Sequence, residues 1–311
     1  MENKNIYYDT VISELDGLKL HIAVCKPENE PKAVIQLAHG MTEHKERYFD
    51  FMNFLSSAGY ICVISDHRGH GKSVKSDGDL GYFYTKDFNS LSEDMYSVTK
   101  YIKSNFPDLP VFMFAHSMGT LAARNYIKNY DFEIEKLVLT GPPTKNFFAP
   151  SGYFLSRFLS LFGDKRRSRL LYAMSTKAFN KGFKTPNSWI NSDEAEVEKY
   201  NGDRLCSYIF TVNGYINLLG MLNSAFRIKD YKTKNPGLKI FLAAGEKDPV
   251  IGSEKKLFSL EKFLIKAGYE NIRLKIYKNM CHEIINEKEK TKVYKDILNF
   301  YEGKKGDKNG N

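Results

Sequence analysis

Apolar runs of strand length recur along the chain, and helical patterns separate most of them. "AVIQLAHG" (33–40), "YICVISDHRG" (60–69), "VFMFAHS" (111–117), "EKLVLTGPP" (135–143) and "LKIFLAAGEKDPV" (238–250) each begin as near-continuous Val, Ile, Leu, Phe and Ala. A strand without polar alternation has to be covered on both faces. Strands joined through helices pair in parallel. The pattern therefore predicts an α/β chain with a mostly parallel central sheet and helices on both faces. The opening "NIYYDTVISELDGLKLHIAVCKP" (5–27) alternates instead and turns at Asp16-Gly17, which predicts an antiparallel hairpin.

The strand–helix rhythm stops after Pro143 and resumes at residue 238. Residues 144–235 hold aromatic and helical signals and no clear strand, so they are expected to be a helical cap inserted into one core made of residues 1–143 and 236–304. A length of 311 residues with 42% hydrophobic composition is enough for one large domain with such an insertion. The tail at 305–311, "KGDKNGN", is expected to be flexible. The net charge of +9 is spread along the chain. Its only dense basic cluster, Lys165, Arg166, Arg167 and Arg169, reads as a solvated helix face rather than a nucleic-acid surface. Cys25, Cys62, Cys206 and Cys281 have no paired spacing, which fits free thiols in a reducing compartment. No apolar secretion segment opens the sequence, and no apolar run approaches about 18 residues, so the expected location is cytoplasmic.

The junction between "VFMFAHS" and the helical pattern from Met118 has almost no loop, and Ser117 stands at it. A serine hydroxyl is a weak nucleophile until a base takes its proton and nearby N–H groups meet the developing charge. A sharp strand–Ser–helix corner supplies that setting, provided the residues two before and two after are small. Here they are Ala115 and Gly119, where Gly is common at both. The same residues also suit a plain N-cap serine. The order further along the chain favours the nucleophile. His282 is the one histidine after Ser117, and it falls in the loop after "NIRLKIY". Asp248 falls in the loop after the preceding strand, with Glu246 close by, nearer the strand end. Ser117, Asp248 and His282 are thus the expected nucleophile, acid and base. Backbone N–H groups of Met118 and Met41 are the expected oxyanion donors, with Gly40 letting the loop turn near the substrate.

"HGMTEHKERY" (39–48), "DHRGHGKS" (66–73), "AHSMG" (115–119), "GEKDPV" (245–250) and "MCHEIINE" (280–287) together resemble the monoacylglycerol lipase and lysophospholipase family of α/β-hydrolases. The resemblance spans both halves of the core but not residues 144–235. It implies the α/β-hydrolase fold, the same three catalytic residues and two donors, and monoacyl lipid esters as substrates. Thr120 departs from the family by standing where a second glycine is common. Glu43, His44, Arg47, Tyr48, Asp66, His67 and Arg68 are expected to shape loops through hydrogen bonds rather than to touch substrate.

Other chemistries fail on particular residues. A phosphate-binding loop ending in "GKS" needs glycine where Asp66 stands. "HEIIN" lacks the second histidine of a zinc peptidase. Haloalkane or epoxide hydrolysis on this scaffold uses a carboxylate where Ser117 stands. No cofactor, metal or nucleic acid is expected. Two alternatives stay open: an aminopeptidase that uses acidic residues such as those of "SDEAEVE" (192–198), and a ligand receptor without catalysis. The aromatic stretch at 146–174 carries apolar residues round nearly the whole helical circumference. Phe154 and Phe158 are therefore expected either to line an acyl-chain channel above Ser117 or to touch a lipid surface beside the basic cluster. Cys281, beside His282, is either a thiol exposed to reagents or a small buried side chain.

Overall fold

The computed structural model describes residues 5–175, 177–183 and 185–304. The expected tail at 305–311 lies outside them. The N-terminal hairpin is β1 (Ile6–Ile12) and β2 (Lys19–Cys25), paired antiparallel. The strands β3 (Ala33–Ala38), β4 (Tyr60–Ser65), β5 (Val111–His116), β6 (Lys136–Thr140), β7 (Lys239–Gly245) and β8 (Asn271–Tyr277) extend it. All join one eight-stranded sheet in the order β1-β2-β4-β3-β5-β6-β7-β8. β2 pairs antiparallel with β4, and every pairing from β4 across to β8 is parallel.

Helices connect these strands: α1 (Phe49–Ser57), α2 (Ser90–Asn105) and α3 (Met118–Tyr130). Between β6 and β7 come α4 (Ala149–Leu159), α5 (Arg169–Met174), α6 (Glu194–Gly202) and α7 (Val212–Ala225). Then α8 (Glu254–Lys266) follows β7 and α9 (Lys290–Tyr301) follows β8. Continuous apolar strands meet cores on both faces, as their composition demands. Val34, Val111 and Met113 share one core with α2, α3 and α8. Their neighbours Ile35, Phe112 and Phe114 share the other with α1 and α9.

Between β6 and β7 the described residues contain helices and one isolated bridge, Arg167 with Thr211. The basic cluster is not a helix face. Lys165, Arg166 and Arg167 precede α5, and only Arg169 belongs to it. Lys165 Nζ is 2.7 Å from Asp79 Oδ1, and Arg167 donates to the Ile209 carbonyl, so two of the four charges tie loops together. Among the described residues no helix is long and apolar enough to cross a membrane.

Arg68 fixes the hairpin to the body of the protein. Its fully buried guanidinium donates to Asp94 Oδ2 at 2.6 Å and Oδ1 at 2.8 Å, and reaches Asp16 of the hairpin turn at 2.9 Å. Ser13 adds a hydrogen bond of 2.6 Å to Asp94. Removing one partner of a buried pair strands the other charge, at a cost of about 3 kcal/mol or more. Asp94→Ala should therefore lower the unfolding free energy by about 3 kcal/mol in urea denaturation, and Asp16→Ala, nearer solvent, by less. A loss below about 1 kcal/mol for Asp94→Ala would show that Arg68 does not depend on it.

Candidate active site

Ser117 links β5 to α3 with φ 50° and ψ −119°, a conformation that costs an L-residue energy and that the surrounding structure must hold. Three contacts hold it. Its N–H donates to the Thr140 carbonyl at 2.9 Å, and its own carbonyl accepts from Thr120 N at 2.9 Å and Thr120 Oγ1 at 2.7 Å. Thr120, one of the departures from the resembled family's pattern, thus braces the corner. Ala115 is fully buried in the core, so the methyl group at that position is accommodated.

The corner presents Ser117 Oγ to His282 Nε2 at 2.8 Å, and His282 Nδ1 lies 2.8 Å from Asp248 Oδ2. The structure therefore brings together all three residues expected from their order. Asp248 comes from the loop after β7 and His282 from the loop after β8. Asp248 Oδ1 accepts from Val250 N at 2.8 Å, which fixes the carboxylate's orientation. Glu246, the other acid considered, is exposed and accepts from Asn279 N at 3.0 Å instead.

Burial of His282 opposes its charged form. The Asp248 carboxylate, its hydrogen bond, and Glu283 and Glu43 outweigh that and hold the imidazole above its ordinary 6.5. The neighbouring His116 goes the other way. Its burial and the nearby His282 push it well down, and its ring lies 4.6 Å from that of His282.

The loop bearing Met41 is shaped by the charged residues expected to shape it. Gly40 N donates to Glu43 Oε1, which also accepts from Tyr48 OH at 2.8 Å. Arg47 forms an ion pair with Glu43 at 3.2 Å and with Glu283 at 2.5 Å, so one guanidinium joins the Met41 loop to the His282 loop. Asp66 accepts from Lys45 N at 2.9 Å and Lys72 N at 2.8 Å. His39 Nε2 accepts from His67 N at 2.9 Å, and His67 Nε2 donates to the His39 carbonyl at 3.0 Å. Met118 opens α3, where N–H groups lack intrahelical acceptors. Both Met41 and Met118 line the cavity beside Ser117.

Two residues at the site carry no signal that sequence reasoning used. Gly141 follows β6 at φ 54°, and a Cβ there would lie 2.7 Å from His282 Cε1 and 3.2 Å from Asp248 Oδ2. The strand–Gly-Pro-Pro ending was the available clue. Trp189, from the segment between β6 and β7, lies with its ring 5.2 Å from the His282 ring. His282 N donates to the Trp189 carbonyl at 3.3 Å and Glu283 N to the Ile190 carbonyl at 2.7 Å.

The cavity over Ser117 has a volume of about 440 Å³, with walls that include Leu121, Leu171, Tyr215, Leu218 and Leu222. Phe154 and Phe158 are not among them. They are 71% and 57% exposed. α4 turns Gly152 and Ser156 inward toward α7, and Phe154 and Phe158, one turn apart, project to the opposite side. The expected channel role is therefore corrected: Phe147, Phe148 and Gly152 of this stretch line the cavity instead. The acidic residues at 192–198 are elsewhere too. Asp193 caps α6 and Glu196 pairs with Lys199. Cys281 is buried, and burial beside Glu287 pushes its thiol up to about 11, so it is the small buried side chain of the two readings.

A family profile described as "Serine aminopeptidase, S33" matches residues 29–289. A monoacylglycerol lipase of Mycolicibacterium smegmatis is 26% identical over 288 residues, covering 91% of this chain and 93% of that protein. A monoglyceride lipase of Mus musculus is 28% identical over 281 residues, covering 88% of this chain and 82% of that protein. The crystal structure of a thermostable carboxyl esterase from Bacillus coagulans, in complex with glycerol, superposes with a TM-score of 0.88 at 24% identity, covering 96% of this chain and 98% of that one. The α/β-hydrolase fold expected from the sequence is the fold of this chain.

Two outcomes follow from the geometry. A base must be neutral, and a raised pKa keeps the proton on His282 to higher pH. kcat/KM for a neutral ester should thus fall as pH drops through a midpoint above 6.5. In Asp248→Asn the largest influence opposing burial is gone, and the midpoint should fall. Trp189 is the only tryptophan, and imidazolium quenches indole, so its fluorescence should titrate with the same midpoint. A midpoint that ignores Asp248→Asn would refute the assigned cause. Separately, Gly141→Ala should push the His282 ring aside and lower kcat about a hundredfold or more, with the far-ultraviolet circular dichroism unchanged.

Proposed function

This chain belongs to the family described as serine aminopeptidase, S33, and from that premise we propose that it hydrolyses monoacyl lipid esters, monoacylglycerol or lysophospholipid, through an acyl-enzyme on Ser117. It is a carboxylic ester hydrolase. The observation that carries the finer reading is the Ser117–His282–Asp248 relay, which opens into an apolar cavity of about 440 Å³. The names borne by the monoacylglycerol and monoglyceride lipases that it resembles support the same substrate class.

In the proposed mechanism, Ser117 Oγ attacks the ester carbonyl carbon as its proton passes to His282 Nε2. Asp248 balances the imidazolium. The oxyanion takes the N–H groups of Met41 and Met118, each contributing about 3 kcal/mol in the transition state. Collapse breaks the bond to the alcohol, which leaves with the proton from Nε2. Water then attacks the acyl-enzyme by the same route, returning Ser117 and releasing the fatty acid. Residues 144–235 act as the cap that walls the acyl chain. The exposed face of α4, with Phe154, Phe158 and the nearby Leu161 and Phe162, is the part we assign to transient contact with a lipid surface.

An aminopeptidase would need a carboxylate available for the substrate's ammonium group. Glu43 and Glu283, the acidic side chains lining the cavity, share Arg47, and this favours the ester reading. A receptor has no use for a serine hydrogen-bonded to a histidine base, and a fluorophosphonate that labels wild type but not Ser117→Ala separates the two.

Ser117→Ala should fold normally and lose several orders of magnitude in kcat. Near-wild-type turnover in that variant would end the assignment. Each buried CH₂ contributes about 0.8 kcal/mol, so kcat/KM should rise up to about fourfold per carbon from acetyl to medium-chain esters. Leu218→Trp should cut that rise short while acetyl ester hydrolysis continues. Phe154→Ser with Phe158→Ser should leave the trend with soluble esters intact and weaken adsorption to phospholipid vesicles. A wild type indifferent to chain length, or faster on aminoacyl amides, would overturn the lipid reading.

A further inference from the structure

At His44, in the loop that carries Met41, three side chains of metal-binding type converge. His44 Nε2 is 2.8 Å from Asp203 Oδ2, and Cys206 Sγ joins them so that all three donor atoms lie within 4.8 Å of one another. His44 and Cys206 are buried, while the Asp203 side chain is 33% exposed.

Local structure already orients each group. Asp203 and Cys206 occupy one turn after α6, closed by Cys206 N donating to the Asp203 carbonyl at 2.9 Å. Leu205 N donates to Asp203 Oδ1 at 2.8 Å, which leaves Oδ2 aimed at His44. The other ring nitrogen of His44, Nδ1, lies 2.6 Å from Glu46 Oε2. A carboxylate on the far nitrogen is the usual support of a metal-binding imidazole, because it fixes the ring and makes the free nitrogen a better donor.

We propose that His44, Asp203 and Cys206 form a zinc-binding site, with water as the fourth ligand. The donor set of one nitrogen, one oxygen and one sulfur is of the kind zinc accepts. Zinc holds such donors at about 2.0–2.3 Å, which places them about 3.3–3.8 Å apart in a tetrahedron. The described separations need only small side-chain rotations, most easily at partly exposed Asp203. Zinc takes cysteine as thiolate and histidine as neutral imidazole, so binding releases protons.

His44 belongs to the loop that carries Met41, and Asp203 and Cys206 to the segment between β6 and β7, 159 residues away in the case of Asp203. Zinc would strap the two together, next to the 2.8 Å contact of Thr42 Oγ1 with Tyr200 OH. The site does not depend on which ester the enzyme cleaves.

The test uses the full chain after chelator treatment. Co²⁺ titration should give a near-ultraviolet thiolate-to-cobalt charge-transfer band and the intense visible bands of a four-coordinate ion. Calorimetry with Zn²⁺ in buffers of different ionisation enthalpy should give one site, with protons released on binding. Cys206→Ser should abolish the charge-transfer band and weaken zinc binding at least about a hundredfold. Asp203→Asn, at a side chain one-third exposed, should weaken it comparably. Glu46→Gln should keep the charge-transfer band and lose about ten- to a hundredfold in affinity. Absence of the band in the wild type, or its persistence in Cys206→Ser, overturns the proposal, as does undiminished zinc affinity in Asp203→Asn.

Discussion

The first turn of α3 presses on the end of β3 so closely that only hydrogen fits at position 119. A Cβ on Gly119 would lie 2.5 Å from the Ala38 carbonyl oxygen and 2.6 Å from that of His39. This approach forces the chain to reverse within a single residue, and that residue is Ser117 with its positive φ. The same approach aims the start of α3 toward the Met41 loop. Gly40 repeats the constraint from the other side, since a Cβ there would lie 3.1 Å from Ser117 Cβ. Ser117, the start of α3 and the Met41 loop are therefore one packing arrangement, and none of the three can shift without the others.

Burial and buried charge divide the histidines around the site into two groups. His39, His67 and His70 cluster behind the site with ring centroids 4.2–6.2 Å apart. Burial pushes His67 to about 4 and His70 to about 3, and it also drives His39 well down, so the cluster is neutral. Neutral rings give each nitrogen a definite role as donor or acceptor, and they prop the Met41 loop without adding a field. His282 alone among the histidines facing the cavity has its burial outweighed by carboxylates. Arg47 pairs with both Glu43 and Glu283, so neither of these acids beside His282 is left without a cation.

The sheet was legible because doubly covered strands have to be apolar throughout, and nothing else in the chain writes that pattern. Ser117, Asp248 and His282 were legible through order and position at strand ends, which tied distant residues to one edge of the sheet. Asp248 was preferred to Glu246 because Glu246 stands nearer the strand end, and it is Asp248 that reaches His282 while Glu246 accepts from Asn279 N. Gly141 and Trp189 were silent because their importance lies in what they touch across the fold. The stretch at 146–174 misled for a physical reason. Apolar residues on every side of a helix say that each side avoids water, or that one side meets something outside the chain, and periodicity cannot separate the two. Phe154 and Phe158 belong to the outer side.

The hydrogen bond between Ser117 and His282 joins positions 165 residues apart, and the whole stretch between β6 and β7 lies within that interval. Contacts of such long range form only after intervening segments have closed their loops, so they come late in a folding reaction. During refolding from denaturant, helical signal and burial of the two cores should recover before turnover does. Esterase activity in this protein is accordingly a clock for the last step of folding, with Trp189 beside His282 as a spectroscopic witness to the same event.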